Sequence, residues 1–276
     1  MHDLSDLVGD YMAFRAARGF QPNPKVERLL TQFVASLPPD HSERQLFTQA
    51  EASAWAHAPV SGSPSWLSSR LSVVRQFAAY LAGSGLPVGV PATRQGASGS
   101  PRATPYLYTN ADVCALMRAA EDLFAPLRAA TMTTLTGLLA VTGMRIGEAL
   151  RLTVADLDIP QRTVLIAQAK FGRQRIVLLD TTACHALTEY LSMPVRHRLG
   201  TTPERPIFVT HKGTALHERT AHGAFHQMVQ RAGLPARADA RPRPHDLRHS
   251  FATQTMIDAY RAGRDPARTL TLLSVW

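Results

Sequence analysis

Apolar side chains recur at helical spacing through the first third of the chain. Leu4, Leu7, Val8, Tyr11 and Phe14 fall at i, i+3, i+4, i+7 and i+10, one face of a helix. Leu29, Leu30, Phe33, Val34 and Leu37 repeat the stripe, and Pro38-Pro39 ends it because proline cannot continue a helix. Thr48-Gln-Ala-Glu51 has the form of a capping box, in which hydroxyl and carboxylate satisfy each other's backbone donors, and opens a third helix. Leu67, Leu71, Val74, Phe77 and Leu81 make a fourth stripe, stopped by Gly83. The pattern predicts a four-helix bundle over residues 1–83. Residues 84–105 are rich in Gly, Pro, Ser and Ala without periodicity and read as a linker.

Residues 106–276 are mixed. Thr109-Asn-Ala-Asp112 caps a helix carrying Val113, Leu116 and Met117, and a longer apolar helix spans about 127–141. A short helix after Gly143 carries Arg145, Glu148 and Leu152. Two β-rich runs, Thr163–Ala169 and Arg175–Leu179, flank Lys170-Phe-Gly-Arg-Gln174, the form of a hairpin with a five-residue loop. Helices resume at about 182–191, 218–232 and 246–261. The pattern is that of an α-rich α+β protein with one small antiparallel sheet.

Composition narrows the class. With 276 residues, 45% hydrophobic and 18% charged, the chain is an ordinary globular one, not a fibre or a disordered tail. Its two cysteines, Cys114 and Cys184, fit a reducing compartment and give no cysteine metal site. The longest apolar stretch, Leu135–Ile146, is broken by Thr, Gly and Arg and falls short of the ~20 residues that span a bilayer. The acidic start, Met1-His-Asp-Leu-Ser-Asp6, lacks the basic flank of a signal peptide, so the expected location is the cytosol.

The net charge of +9 is uneven. Residues 1–100 hold 8 basic and 7 acidic side chains, whereas 101–276 hold 22 and 14. A basic C-terminal part suits a polyanion. All but Lys25, Lys170 and Lys212 of the 30 basic residues are arginines, whose planar forks match phosphate oxygens. A GC-rich coding bias would produce the same excess.

Candidate chemistry lies in that basic part. Arg145 sits in Thr142-Gly-Met-Arg-Ile-Gly-Glu-Ala-Leu150, and Lys170 sits on the hairpin loop. His245 and Arg248, in His245-Asp-Leu-Arg-His249, share a helix face at i and i+3. Two guanidiniums can clamp non-bridging phosphate oxygens and stabilise a five-coordinate phosphorane. A histidine can donate to those oxygens or shuttle a proton, and a lysine can protonate a departing 5′ oxygen. No acidic cluster suits a metal pair. His217, His222 and His226 cluster, with the last two at a zinc-compatible i, i+4, but no H-E-x-x-H pattern accompanies them. His249 reads as structural.

The segments A-V-T-G-M-R-I-G-E-A-L-R-L, K-F-G-R-Q-R-I-V-L-L and P-H-D-L-R-H-S-F-A, in this order and at these spacings, resemble the tyrosine recombinase (phage integrase) family. The resemblance covers most of the chain. It implies a core-binding, SAM-like DNA-clamp domain at 1–83, a linker at 84–105 and a catalytic domain at 106–276. Arg145 and Arg248 match the family's two catalytic arginines, His245 its histidine, and Lys170 its general acid on the 5′-hydroxyl. Glu148 either orients Arg145 or is an ordinary surface acid. The implied chemistry is strand cleavage and rejoining through a 3′-phosphotyrosyl link, without ATP, metal or other cofactor. The implied partners are double-stranded DNA and other copies, or a full-length relative, assembled on it near the nucleoid. Arg162, Arg173, Arg175, Arg196, Arg198, Arg241 and Arg243 are candidate phosphate contacts, which position a protein without reading sequence.

Family members continue past a segment like Leu272–Trp276 into an active-site His or Trp and then the nucleophilic tyrosine. The chain therefore reads as a C-terminally truncated member, defective in cleavage. Of Tyr11, Tyr80, Tyr106, Tyr108, Tyr190 and Tyr260, only Tyr260 follows the H-x-x-R. Twelve helical residues put it about 18 Å from Arg248, and it reads as a packing residue. The rival reading is a non-catalytic DNA-binding remnant or regulator that occupies recombination sites.

Overall fold

The structure is a computed structural model and describes residues 4–20, 22–38, 45–58, 64–92, 104–167, 174–234 and 240–274. The chain divides into two compact units, Met1–Arg102 and Ala103–Trp276.

The first unit contains α1 (Leu4–Ala17), α2 (Pro24–Ala35), α3 (Gln49–His57) and α4 (Pro64–Gly83). Their stripes make its core: Leu4, Leu7, Val8 and Tyr11 from α1, Leu30 and Phe33 from α2, Val74, Phe77 and Leu81 from α4. Thr48 caps α3 as its motif requires, with Glu51 N donating to Thr48 Oγ1 and Thr48 N donating to Glu51. The segment after α4 departs from the linker composition. Leu86 and Val88 pack on the core, and Phe47 and Val88 form a parallel bridge. A side chain at residue 89 would overlap the Gln49 backbone nitrogen, so glycine permits the close approach.

The second unit is built around α6 (Pro126–Thr142), a helix buried on most sides. Against it pack α5 (Asn110–Leu123), α8 (Thr181–Ser192) and α11 (Pro244–Arg261). The remaining helices are α7 (Ile146–Arg151), α9 (Pro194–His197), α10 (Glu218–Arg231) and α12 (Pro266–Ser274). A three-stranded antiparallel sheet has the order β1 (Leu157–Asp158), β2 (Thr163–Ile166), β3 (Arg175–Leu178). Leu165 faces Ile176 and Ile166 faces Arg175 across the β2–β3 pair. Strand alternation buries Val164, Ile166 and Val177 and exposes Leu165, Ile176 and Leu178. Helices α9 and α12 and strand β1 are additions to the elements that the hydrophobic pattern predicts. Among the described residues, no helix is long and apolar enough to cross a membrane.

Candidate functional site

Arg145 stands at the junction of two helices. Helix α6 ends on Gly143, whose left-handed backbone (φ 63°) closes the last turn with a bond from its N–H to Leu139 O. Two residues later Arg145 occupies the N-cap position of α7. A Cβ on residue 143 would overlap the Phe251 ring from α11, so glycine serves both the turn and the packing of α11 on α6. The Gly143 carbonyl accepts a 2.6 Å bond from Arg248 Nη1. One glycine thus fixes where the two arginines meet.

The N-terminus of α11 is fixed from the other side. Asp246, fully buried, accepts from Arg243 N, Nε and Nη2 at 2.9–3.1 Å. Tyr108 N donates to Ser250 Oγ at 2.7 Å, and Tyr108 OH donates to Arg243 O at 3.1 Å. His245 and Arg248 leave this anchored first turn on one face.

The carboxylate at the site is Glu148. Its side chain is 3% exposed and is held bidentately by Arg175, whose Nη1 lies 3.1 Å from Oε1 and Nη2 2.7 Å from Oε2. Arg145 adds its backbone N–H to Oε2 at 2.9 Å and Nη1 to Oε1 at 2.8 Å. Burial alone would raise this carboxyl. The Arg175 bond, and then the Arg145 backbone and side-chain bonds, outweigh it and hold Glu148 down at about 2. Of the two roles open from the sequence, the local pairing is the one the geometry supports.

The positive groups sense one another. Burial lowers the Arg248 pKa, and the charges of Arg145 and Arg175 lower it further against the pull of Glu148. Burial also lowers His245, followed by the charges of His249, Arg248 and Arg145. The His245 ring meets the His249 ring edge-on, 5.0 Å between centroids. At neutral pH the histidine is therefore an uncharged donor or acceptor beside two guanidiniums, a suitable neighbour for an anion.

The structure brings Arg145, His245 and Arg248 close enough for their charges to act on one another. Lys170 and Arg173 lie outside the described residues. Arg162, Arg198 and Arg241 are exposed, and Arg243 is half-exposed but tied to Asp246. Two candidates for phosphate contact are corrected. Arg196 is fully buried, with Nε on Ile207 O, Nη1 on Gly200 O and Nη2 on Pro206 O. Arg175 shares the inner face of β3 with Val177 and is spent on Glu148.

The tyrosines and histidines also settle into place. Tyr260 is 78% exposed at the end of α11, which corrects the packing role expected of it. Tyr11, Tyr106, Tyr108 and Tyr190 are buried, and burial raises the Tyr108 phenol well above its ordinary range. His217 caps α10, His222 faces Glu218 at 3.6 Å and His226 faces Gln230 at 3.2 Å. Among the described residues, no group of three or more His, Cys, Asp or Glu side chains could hold a metal.

Known proteins resemble this chain along most of its length. The family model described as "Phage integrase family" matches residues 107–260. "Putative integrase/recombinase y4rB" of Sinorhizobium fredii is 33% identical over 282 residues, covering 100% of this chain and 89% of that relative. "Tyrosine recombinase XerC" of Rhizobium meliloti is 32% identical over 205 residues, 72% of this chain and 59% of its own. Among solved structures, a lambda integrase tetramer bound to a Holliday junction has the same fold. Its TM-score is 0.63 at 20% identity, over 92% of this chain and 73% of that one.

Proposed function

This chain belongs to the phage integrase family of tyrosine recombinases, and from that premise we propose that its C-terminal unit binds and activates a phosphodiester of duplex DNA for site-specific recombination. The observation that carries the reading is the convergence of Arg145 and Arg248 beside His245, around a carboxylate that is already filled. Arg145 and Arg248 take the non-bridging oxygens, where their charge offsets that of the five-coordinate phosphorane. His245 donates to the same oxygens. In the full reaction a tyrosine oxygen passes its proton to His245 and bonds to phosphorus, the bond to the 5′ oxygen breaks, and Lys170 gives that oxygen a proton. A 5′-hydroxyl of a partner strand then reverses the step. The basic C-terminal part and the exposed Arg162, Arg198 and Arg241 support a DNA track, and the lambda integrase tetramer on a junction supports assembly of several copies. Such a protein works at the nucleoid, in the cytoplasm.

The nucleophile is the exception. Tyr11, Tyr106, Tyr108 and Tyr190 are buried, and Tyr80 packs against the core of its own unit with its ring 5.3 Å from that of Tyr11. Tyr260 lies twelve residues beyond Arg248 on one helix, about 18 Å along its axis. We infer that no tyrosine of residues 1–276 attacks a phosphate held by Arg248. Residues 1–276 then act alone as a site-occupying DNA binder, and added to a recombining relative they would compete for its sites.

Titration of a labelled duplex from the protein's own locus, by anisotropy at several salt concentrations, tests the anion site. Arg145→Gln is expected to weaken binding five- to tenfold and to reduce the magnitude of the log–log salt slope by about 1. Unchanged affinity and slope would remove Arg145 from the phosphate.

A further inference from the structure

Arg175 is a third guanidinium at the site, and its task differs from those of Arg145 and Arg248. Its strand parity points it inward, and its side chain is 13% exposed. A carboxylate offers about four lone-pair positions. On Glu148 all four are taken: Oε1 by Arg145 Nη1 and Arg175 Nη1, Oε2 by Arg145 N and Arg175 Nη2. Arg145 therefore spends one Nη on Glu148. Its Nε and Nη2 make no hydrogen bond to another described residue, and its side chain is 42% exposed.

Without Arg175, two acceptor positions of a buried carboxylate would stand vacant. An ionised buried carboxylate left half-filled is costly. Arg145 is the neighbour able to fill them, since its planar fork fits a carboxylate with two parallel bonds. Such a bidentate pair would turn its guanidinium away from the anion.

We propose that Arg175 is a positioning residue that saturates Glu148 and so keeps Arg145 directed at the scissile phosphate. This rests on the phosphate-binding role proposed for Arg145 and Arg248. It also ties β3 to α7, so that sheet and phosphate site hold one register.

The test is a titration of the arginine-labelled 276-residue chain with inorganic phosphate, following the Nε–Hε resonances by NMR. In the wild type, Arg145 and Arg248 should shift and Arg175 should not. In Arg175→Gln, the Arg145 response should weaken at least tenfold in apparent Kd while Arg248 responds within about threefold of wild type. In Arg175→Lys, one oxygen regains a partner and the weakening should be smaller. The deciding variant is the double change Glu148→Gln with Arg175→Gln. With no charge left to draw Arg145 in, its phosphate response should return to within about threefold of wild type. A retained backbone amide spectrum separates these effects from unfolding. A wild-type Arg145 response that Arg175→Gln leaves intact, a shift at Arg175 itself, or no recovery in the double variant overturns the positioning role alone. Silence at both Arg145 and Arg248 in the folded wild type overturns the phosphate site and the positioning role with it.

Discussion

Arg196→Ala is expected to destabilise the C-terminal unit by about 3–5 kcal/mol, a fall of roughly 10 °C in its melting temperature. The guanidinium is fully buried, 5.7 Å from the Tyr190 ring, and bonds three backbone carbonyls. Truncation would strand Ile207 O, Gly200 O and Pro206 O, each at about 1–3 kcal/mol for an unmet buried acceptor, and would leave a cavity. Arg196→Lys, with a point charge in place of a fork, should recover only part of the loss. Calorimetry checks the magnitude. DNA affinity of the folded variant should stay within about twofold, because the side chain does not reach the surface. A fall below about 1 kcal/mol, with a weakened salt slope, would return Arg196 to the phosphate contacts.

The second large effect is an acid limb written by Glu148. Its folded value near 2 lies below the ordinary 4.5, so the carboxylate form is bound more strongly in the native state. That stabilisation is complete above about pH 4.5 and drains away as pH falls towards 2, for a total of roughly 3 kcal/mol. Glu148→Gln removes the titration while keeping the shape. Urea unfolding at pH 6 and at pH 3 should show the wild type losing more stability than Glu148→Gln across that interval, with the variant less stable at pH 6. Equal losses in both proteins would mean that Glu148 is not the depressed group.

The parts of the fold that local chemistry decides are legible in the sequence. The Thr48–Glu51 and Thr109–Asp112 boxes cap their helices, and the stripes of α1, α2 and α4 become one core, because each signal lies within a few residues. The β2–β3 pair is legible as a hairpin, but its facing is not. In Arg175-Ile-Val-Leu-Leu179 both parities are apolar, so nothing local tells that Val177 turns inward and takes Arg175 with it. Arg196 sits in a basic run, and its burial depends on carbonyls four to eleven residues away in an irregular segment. Asp265 directly precedes helix α12 and its side chain accepts from Ala267 N, a capping signal that the Thr-Leu-Thr-Leu run after it obscures. At the site, Arg145, His245 and Arg248 are legible by motif. Their convergence is not, because it depends on Gly143 presenting its carbonyl 105 residues from Arg248. Tyr260 shows the limit of burial guesses at a helix end, where an aromatic ring stays in solvent.

On the proposed reading, residues 1–276 grip a DNA phosphate and hold no tyrosine placed to attack it. A duplex from the protein's own locus, nicked so that a cleaved fragment escapes, tests both halves with a native gel beside a denaturing one. A shifted native band and no covalent protein–DNA band are expected. A covalent band lost in Tyr260→Phe would contradict it by making Tyr260 the nucleophile, and the absence of any shift would contradict the DNA grip itself.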